Sequence, residues 1–328
     1  MKRFILFVAV VLLSLGISLP VFGAESGNGV IEGSIVNKTA GGGSVANVPI
    51  TLKIYLNDAE TGSSNTKTDA DGKFTFKNLI TTKSYGYQIT LKYQGADYNG
   101  DRLTFGATET TKAAELAVYD STTSDAAIKV TNAHTIISAV EGGIQVKEYY
   151  QFINESDRTY IGTGDGQDTR TLRFTVPKEA TGLEYGLDFM QCCAVLSDGG
   201  VADSMAILPG PREMLFSYKI NPSSGTYNLA QKMIYPVASY NLLVQSGVIQ
   251  VSSDKLAPGQ PIQIEGNRLN DYTTKNIAPG EVITAQLSNL PASSNPWSTV
   301  RWIALALVVL ASVFGSFYVL KKRPKEQP

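Results

Sequence analysis

Hydrophobic and polar residues alternate through most of the middle of this chain and run together at its two ends. Ile50, Leu52, Ile54 and Leu56 fall on one side of Val48–Leu56 (VPITLKIYL), the period-two spacing of a half-buried strand. Val30–Val36 (VIEGSIV) alternates likewise and gives out into the polar loop Asn37–Gly43 (NKTAGGG). A sharp turn is predicted within Thr68–Phe76 (TDADGKFTF). There Asp69 can fold its carboxylate onto downstream amides, Gly72 supplies a positive φ, and Phe74 and Phe76 restart a strand. Tyr85–Tyr93 and Ala113–Tyr119 continue the pattern.

From about Ala126 the texture changes. Ala127–His134, Thr135–Val140 and Gly143–Asn154 read as strands, with a hairpin at Glu141–Gly143. Thr171–Pro177, Met214–Ile220, Tyr240–Val244, Val248–Val251 and Val282–Leu287 follow at similar intervals. No convincing helical period appears between Ala24 and Val300. The expected fold class is all-β, with two β-sandwich-type domains at 24–124 and 125–291 and a single C-terminal transmembrane α-helix.

That helix is read from Trp302–Leu320 (WIALALVVLASVFGSFYVL), which carries no charge and is followed by Lys321, Lys322, Arg323 and Lys325. Nineteen helical residues rise roughly 28 Å, close to the thickness of a bilayer's hydrocarbon. The basic tail 321–328 marks the cytoplasmic side. At the other end, Lys2 and Arg3 precede the apolar run Phe4–Leu19, and small residues before Ala24 suit a cleaved export signal at 1–23. Residues 292–301 form the juxtamembrane linker, with Trp297 and Trp302 at the membrane interface. The expected topology is a single-pass type I plasma-membrane protein, its lipid bilayer partner held by the C-terminal helix and the ectodomain outside the cytoplasm.

Charge sharpens this picture. The whole chain has net charge −1, but 7 of its 28 bases lie at the two hydrophobic ends and only Glu326 of its 29 acids does. The remainder holds 21 bases and 28 acids, a net −7. Such a surface repels phosphate backbones, so nucleic acid is not an expected partner.

The order GSIVN, then VPITLKIY, TDADGKFTFKNL and ITLKYQGADY, over roughly Asn28–Asp120, resembles the carboxypeptidase regulatory-like or Cna-B-like (prealbumin-like) sandwich. The resemblance implies a seven-stranded stalk or adhesion module, in a superfamily with starch-binding relatives. Some Cna-B modules carry a Lys–Asn isopeptide bond. Here Val30–Val36 has no lysine and Glu115–Tyr119 no asparagine, so that crosslink is not assigned. The later segments VKEYYQFINESDRTYIG, TLRFTVP and PGPREMLFSYKI resemble uncharacterised bacterial membrane-anchored proteins with a regulatory-like domain, a family that implies no activity.

Candidate chemistry is sparse. His134 is the only histidine, so any catalytic triad would need it; a hydrogen-bonded strand residue is the plainer reading. Cys192 and Cys193 are the only cysteines, expected as two buried thiols in an apolar strand rather than a bridge between neighbours. Asp69-Ala-Asp71-Gly72 resembles the opening of a calcium loop, but Ile80 stands where the twelfth-position glutamate belongs, which favours a structural turn. Gly162–Asp168, with Glu155 and Asp157 upstream, is the other acid-rich loop, with a surface loop favoured over a calcium site. Glu141 and Glu148 are the carboxylate pair considered for glycoside hydrolysis, and Tyr149, Tyr150 and Tyr160 the aromatic residues for sugar binding.

Leu290–Ser294 (LPASS) has the layout of a sortase signal but departs from it at Ser293 and Ser294. Asn37-Lys-Thr39 and Asn154-Glu-Ser156 are acceptor sequons only where exported asparagines are glycosylated. Ala311 with Gly315, and Ser312 with Ser316, would permit helix pairing. No catalytic, cofactor-binding or metal residue is assigned, and no cofactor is expected. The leading functional expectation is a non-enzymatic, membrane-anchored β-domain protein for surface binding or scaffolding, with a protein or glycan partner. A membrane-tethered carbohydrate-binding module and an accessory subunit of a membrane complex are the alternatives.

Overall fold

The computed structural model describes residues 27–290, apart from 165, 167–168, 198, 223 and 265–266. The expected signal segment, transmembrane helix and sortase-like residues 291–294 lie outside these residues. Among those described, no helix is long and apolar enough to cross a membrane, and the secondary structure is nearly all β.

Seven strands build the N-terminal unit: β1 (Gly29–Asn37), β2 (Pro49–Leu56), β3 (Ala59–Lys67), β4 (Lys73–Leu79), β5 (Tyr85–Tyr93), β6 (Ala96–Leu103) and β7 (Thr111–Val118). They form two sheets, ordered β4-β1-β7 and β3-β2-β5-β6, a β-sandwich. β1 runs parallel to β7 and antiparallel to β4. Ile31 and Ile35 of β1 and Phe74 and Phe76 of β4 share one buried cluster with Ile50 and Leu52 of β2 and Tyr87, Ile89 and Leu91 of β5. Each set is spaced by two residues, or by four in β1 where Gly33 stands between Ile31 and Ile35, so the alternation in sequence is the inward face of a strand.

Ile54 continues the inward row at the edge of this cluster. Next to it the β2–β3 register slips between Ile54 and Tyr55. Tyr55 is buried beyond the cluster by Arg102, whose guanidinium lies 3.7 Å from its ring centre, and by Gln88, which accepts its hydroxyl at 3.1 Å. β3 has no sequence signature. Its residues, AETGSSNTK, are nearly all exposed, and it exists as an edge strand by pairing with β2.

The turn between β3 and β4 forms as its residues dictate. The Asp69 carboxylate accepts the amides of Asp71 (2.9 Å) and Lys73 (2.8 Å), and Gly72 adopts φ +78°. Ile35 N–H then donates to the Gly72 carbonyl at 2.8 Å, tying the turn to β1.

The C-terminal unit is built on a larger sheet. Its strands are β9 (Ile128–Val140), β10 (Gly143–Asn154), β13 (Thr181–Leu187), β16 (Gly210–Ile220), β18 (Val237–Gln245), β20 (Ala257–Pro258), β21 (Ile262–Ile264) and β22 (Asn267–Ile277). The order is β13-β16-β10-β9-β18-β22-β20, with β21 also on β22. Two three-stranded sheets accompany it. One is β12 (Arg173–Thr175), β15 (Gly200–Asp203) and β14 (Ala194–Ser197); the other is β17 (Tyr227–Lys232), β23 (Val282–Ser288) and β19 (Gln250–Ser252).

Between large and small sheets sits an aromatic core of Tyr150, Phe152, Phe174, Phe189, Phe216 and Tyr235. Phe174 and Phe216 have ring centroids 5.0 Å apart, and Tyr150 and Phe174 5.2 Å. Phe152 meets Phe174 and Tyr235 edge-on, the arrangement that aromatic quadrupoles favour. The alternating residues Val146, Tyr150 and Phe152 point into this core from β10, as Phe216, Tyr218 and Ile220 do from β16.

Gly72 gives a direct test of the turn. A Cβ there would lie 2.7 Å from the Ile35 carbonyl oxygen, on a backbone at positive φ. Gly72→Ala is expected to destabilise the N-terminal unit by about 1–3 kcal/mol, read by chemical denaturation. An unchanged midpoint would show that the turn relaxes freely.

Candidate functional site

The chain leaves β7 at Val118 and two residues later reaches Asp120, which is 9 % exposed and lies where the two units meet. Its Oδ1 accepts hydrogen bonds from Asn37 Nδ2 (2.8 Å), Gln94 Nε2 (2.9 Å) and the Tyr93 hydroxyl (3.1 Å). The Gly43 amide donates to both carboxylate oxygens, at 3.1 and 3.0 Å. Burial by itself would raise the Asp120 pKa. The donors, Asn37 foremost, outweigh it and hold the carboxyl below its ordinary value.

Residues 155–161 of the C-terminal unit dock on this hub. Thr39 donates its hydroxyl to the Asp157 carbonyl (2.7 Å) and accepts the Asp120 amide (2.9 Å), while the Asp157 carboxylate takes the Ala40 amide at 2.9 Å. The hydroxyls of Tyr98 and Thr159 are 2.7 Å apart, and Thr159 N–H donates to the Asp120 carbonyl at 2.9 Å. A short parallel ladder pairs β8 (Ser121–Thr122) with β11 (Thr159–Tyr160). Arg158 approaches the Asp120 carboxylate at 3.7 Å, and Ile161 and Ala206 pack on the N-terminal core. The units are therefore joined by interlocked polar and apolar contacts.

The two sequons belong to the same region. Asn37 is committed to Asp120, while Asn154, buried to 2 %, donates to the carbonyls of Arg158 (2.8 Å) and Ile207 (3.0 Å). A glycan on either amide would break these bonds, so both asparagines serve structure in the folded chain.

A second polar constellation lies inside the C-terminal unit. Glu148 is fully buried on β10, with no cation among its hydrogen-bond partners. Thr135 donates to Oε2 at 2.8 Å and Tyr218 to Oε1 at 3.1 Å, with Tyr150 at a longer 3.4 Å. Tyr240 in turn donates to Thr135 (2.9 Å), and the Gln231 amide to the Tyr150 hydroxyl (2.9 Å). Each chain of donors ends on the carboxylate. Burial pushes the Glu148 pKa up to about 7, against the opposing pull of Thr135, Tyr218 and Tyr150. The signal was present in sequence: Glu148 shares its parity with Val146, Tyr150 and Phe152, which puts it on the inward face.

Other candidates fall differently. Glu141 is exposed in the hairpin turn while Glu148 is enclosed in the core, so the pair does not face across a cleft. Tyr149 and Tyr150 are each 5 % exposed and Tyr160 2 %, which leaves none of them as a platform for a sugar ring. His134 does not fit the hydrogen-bonded expectation fully. Its ring stacks on Tyr149 with centroids 5.7 Å apart, and its buried Nδ1 has no partner. Burial holds the imidazole below its ordinary pKa, against the pull of Asp271.

The cysteines contradict the buried-strand reading. Cys192 is exposed and Cys193 half-buried, both in a single 3-10 turn at Gln191–Cys193. Apolar side chains around them are themselves on the surface, Met190 43 % and Leu196 67 % exposed. Glu155 pairs with Lys129 and Asp157 with the Ala40 amide, so neither serves the Gly162–Asp168 loop, whose residues 165, 167 and 168 lie outside the described ones. Among the described residues no group of three or more His, Cys, Asp or Glu is placed to hold a metal ion.

Together these features define an all-β protein of two joined units. No family model matches the chain, and no curated protein does. Among solved structures it is similar to a protease candidate from Parabacteroides distasonis, at 10% identity and TM-score 0.30 over 49% of this chain and 40% of that one. It is also similar to the full-length major pilin SpaD from Corynebacterium diphtheriae, at 11% identity and TM-score 0.23 over 81% of this chain and 84% of the pilin. The chain thus spans about two fifths of the first of these proteins. Both scores are too low to define a common fold.

Glu148 sets a pH dependence. Its folded pKa is about 7 against an ordinary 4.5, so the folded state binds the proton more tightly than the unfolded one. Stability is expected to fall as pH rises between those values, by roughly 1.4 kcal/mol per pH unit at most. Denaturation midpoints at pH 5 and pH 8 test this. The Glu148→Gln variant should lose Glu148's share of the dependence and keep that of Asp203, whose carboxyl burial pushes up to about 6; a variant with the same pH slope as wild type would contradict it.

Proposed function

We propose that this chain is a non-enzymatic surface protein, anchored in the plasma membrane by Trp302–Leu320, that presents its two β-units outside the cytoplasm for binding or scaffolding. The observation that carries the reading is the junction. A display or scaffold protein must hold its outer unit in a fixed relation to its inner one. Here Thr39, Tyr98 and Asp120 make direct hydrogen bonds to residues 157–159 in place of a free linker. The apolar run at 302–320 with its basic tail, the N-terminal export-type segment, and the net −7 between them support the anchored topology. The regulatory-like or Cna-B-like character of the N-terminal sandwich belongs to the same proposal, as stalk-type modules of that kind serve to space and present.

Of the alternatives, a sugar-binding role loses Tyr149 and Tyr160 to burial. An accessory-subunit role rests on the segment holding Ala311 and Gly315, outside the described residues.

Protease applied to intact cells is expected to digest residues 27–290 while a reporter fused after Pro328 stays protected. An exported reporter, or an ectodomain untouched by protease in intact cells but cut after lysis, would overturn the topology. Turnover of a substrate by the purified protein would overturn the non-enzymatic reading.

A further inference from the structure

Cys192 and Cys193 are the only cysteines of the chain, and the fold puts both at the surface. They sit side by side in the 3-10 turn between β13 and β14, with their Sγ atoms 2.9 Å apart. Closing by less than about 1 Å would reach the length of a disulfide bond. The backbone around them is held asymmetrically. The Cys193 carbonyl accepts the Ser204 amide (3.0 Å) and hydroxyl (2.9 Å), and its own amide donates to Met190 at 3.0 Å. Cys192 is the more exposed of the two residues.

We propose that Cys192 and Cys193 form a thiol–disulfide exchange site that closes reversibly into a disulfide between neighbours. The co-reactant is a disulfide, of a small molecule or of a protein. The exposed Cys192 thiolate attacks one of its sulfurs, forming a mixed disulfide and releasing a first thiol. The Cys193 thiolate then attacks Cys192 Sγ, closes the ring and releases the second thiol. Two cysteine thiols are oxidised, one disulfide is reduced to two thiols, and the two cysteine protons end on those thiols.

Two physical features set how this site behaves. Cα atoms joined by a trans peptide are about 3.8 Å apart, closer than the ~4.4–6.8 Å of ordinary disulfides, so the closed ring is strained and readily reduced again. Burial, then the Cys192 thiol and the Asp203 charge, push the Cys193 pKa up to about 11, with Arg212 pulling the other way. The ring-closing attack by Cys193 therefore depends on a small thiolate fraction at neutral pH, and that step should speed up roughly tenfold per pH unit between pH 7 and 9.

The segment that would be reshaped also carries exposed apolar side chains. Leu187, at φ +55°, and Met190 are each 43 % exposed, and Leu196 is 67 % exposed. Closing the ring between Met190 and Ala194 changes how this surface is presented.

The test uses full-length protein in detergent, reduced and then incubated with oxidised glutathione, quenched with N-ethylmaleimide and weighed intact after denaturation. The expected product is a monomer lighter by two hydrogens with no maleimide, and dithiothreitol should restore two maleimide-reactive thiols. Cys193→Ser should stop at a stable glutathione adduct on Cys192. Two alkylated cysteines after oxidation, a lasting glutathione adduct on the wild-type chain, or disulfide-linked dimers would each overturn the proposal.

Discussion

The joining of the two units depends on one carboxylate. Asp120 gathers donors from the end of β1, the loop after it and the end of β5, and presents its own backbone to Thr39 and Thr159. Hydrogen bonds to a charged acceptor are stronger than neutral ones, and a buried acceptor left without donors costs more than any single bond returns. The geometry of the Asn37–Gly43 loop and the docking of residues 157–159 are thus set together. Without the Asp120 carboxylate, Asn37, Gly43, Tyr93 and Gln94 would lose their shared acceptor beside the Thr39 and Tyr98 contacts.

Asp120 and Glu148 show the same chemistry with opposite outcomes. Both carboxylates take several hydrogen bonds. Asp120 lies at the edge of a unit, where four side-chain and backbone donors outweigh burial and keep it charged. Glu148 lies at the centre of a sheet face, enclosed by aromatic rings, and burial there wins over three hydroxyls. The first fixes a junction at all physiological pH values. The second leaves the larger core balanced near neutrality, with Tyr218, Thr135 and Tyr150 ready to meet either protonation state.

Much of the fold was legible wherever one face of a strand is buried, because burial writes a period of two into the sequence. Val48–Leu56 and Gly143–Asn154 are of this kind, and the Asp69–Gly72 turn was legible from its turn residues. β3 was not legible, since an edge strand exposed on both faces has no apolar constraint and borrows its place from β2. β13 is similar, with Thr181–Leu187 half-exposed at the end of the large sheet. The cysteine pair misled for the reverse reason: its apolar surroundings look like strand interior, but the cysteines fall in a 3-10 turn before β14, and Met190 and Leu196 are exposed. The junction was invisible in sequence because Asn37, Thr39, Asp120 and Asp157 are loop-type residues brought together only by tertiary structure. Glu148 lay in plain view, and only its parity with Val146 and Phe152 marked it as buried.

Amide hydrogen exchange at the junction tests the central claim most directly. The amides of Thr159 and Ile161, on the C-terminal unit, donate to the Asp120 carbonyl and the Thr122 carbonyl. If the interlock joins the two units as a stable part of the fold, these amides will exchange as slowly as those of β1 and β10, since they open only with the units themselves. Exchange at the rate of an exposed loop, with β1 and β10 still protected, would mean that the units are merely tethered.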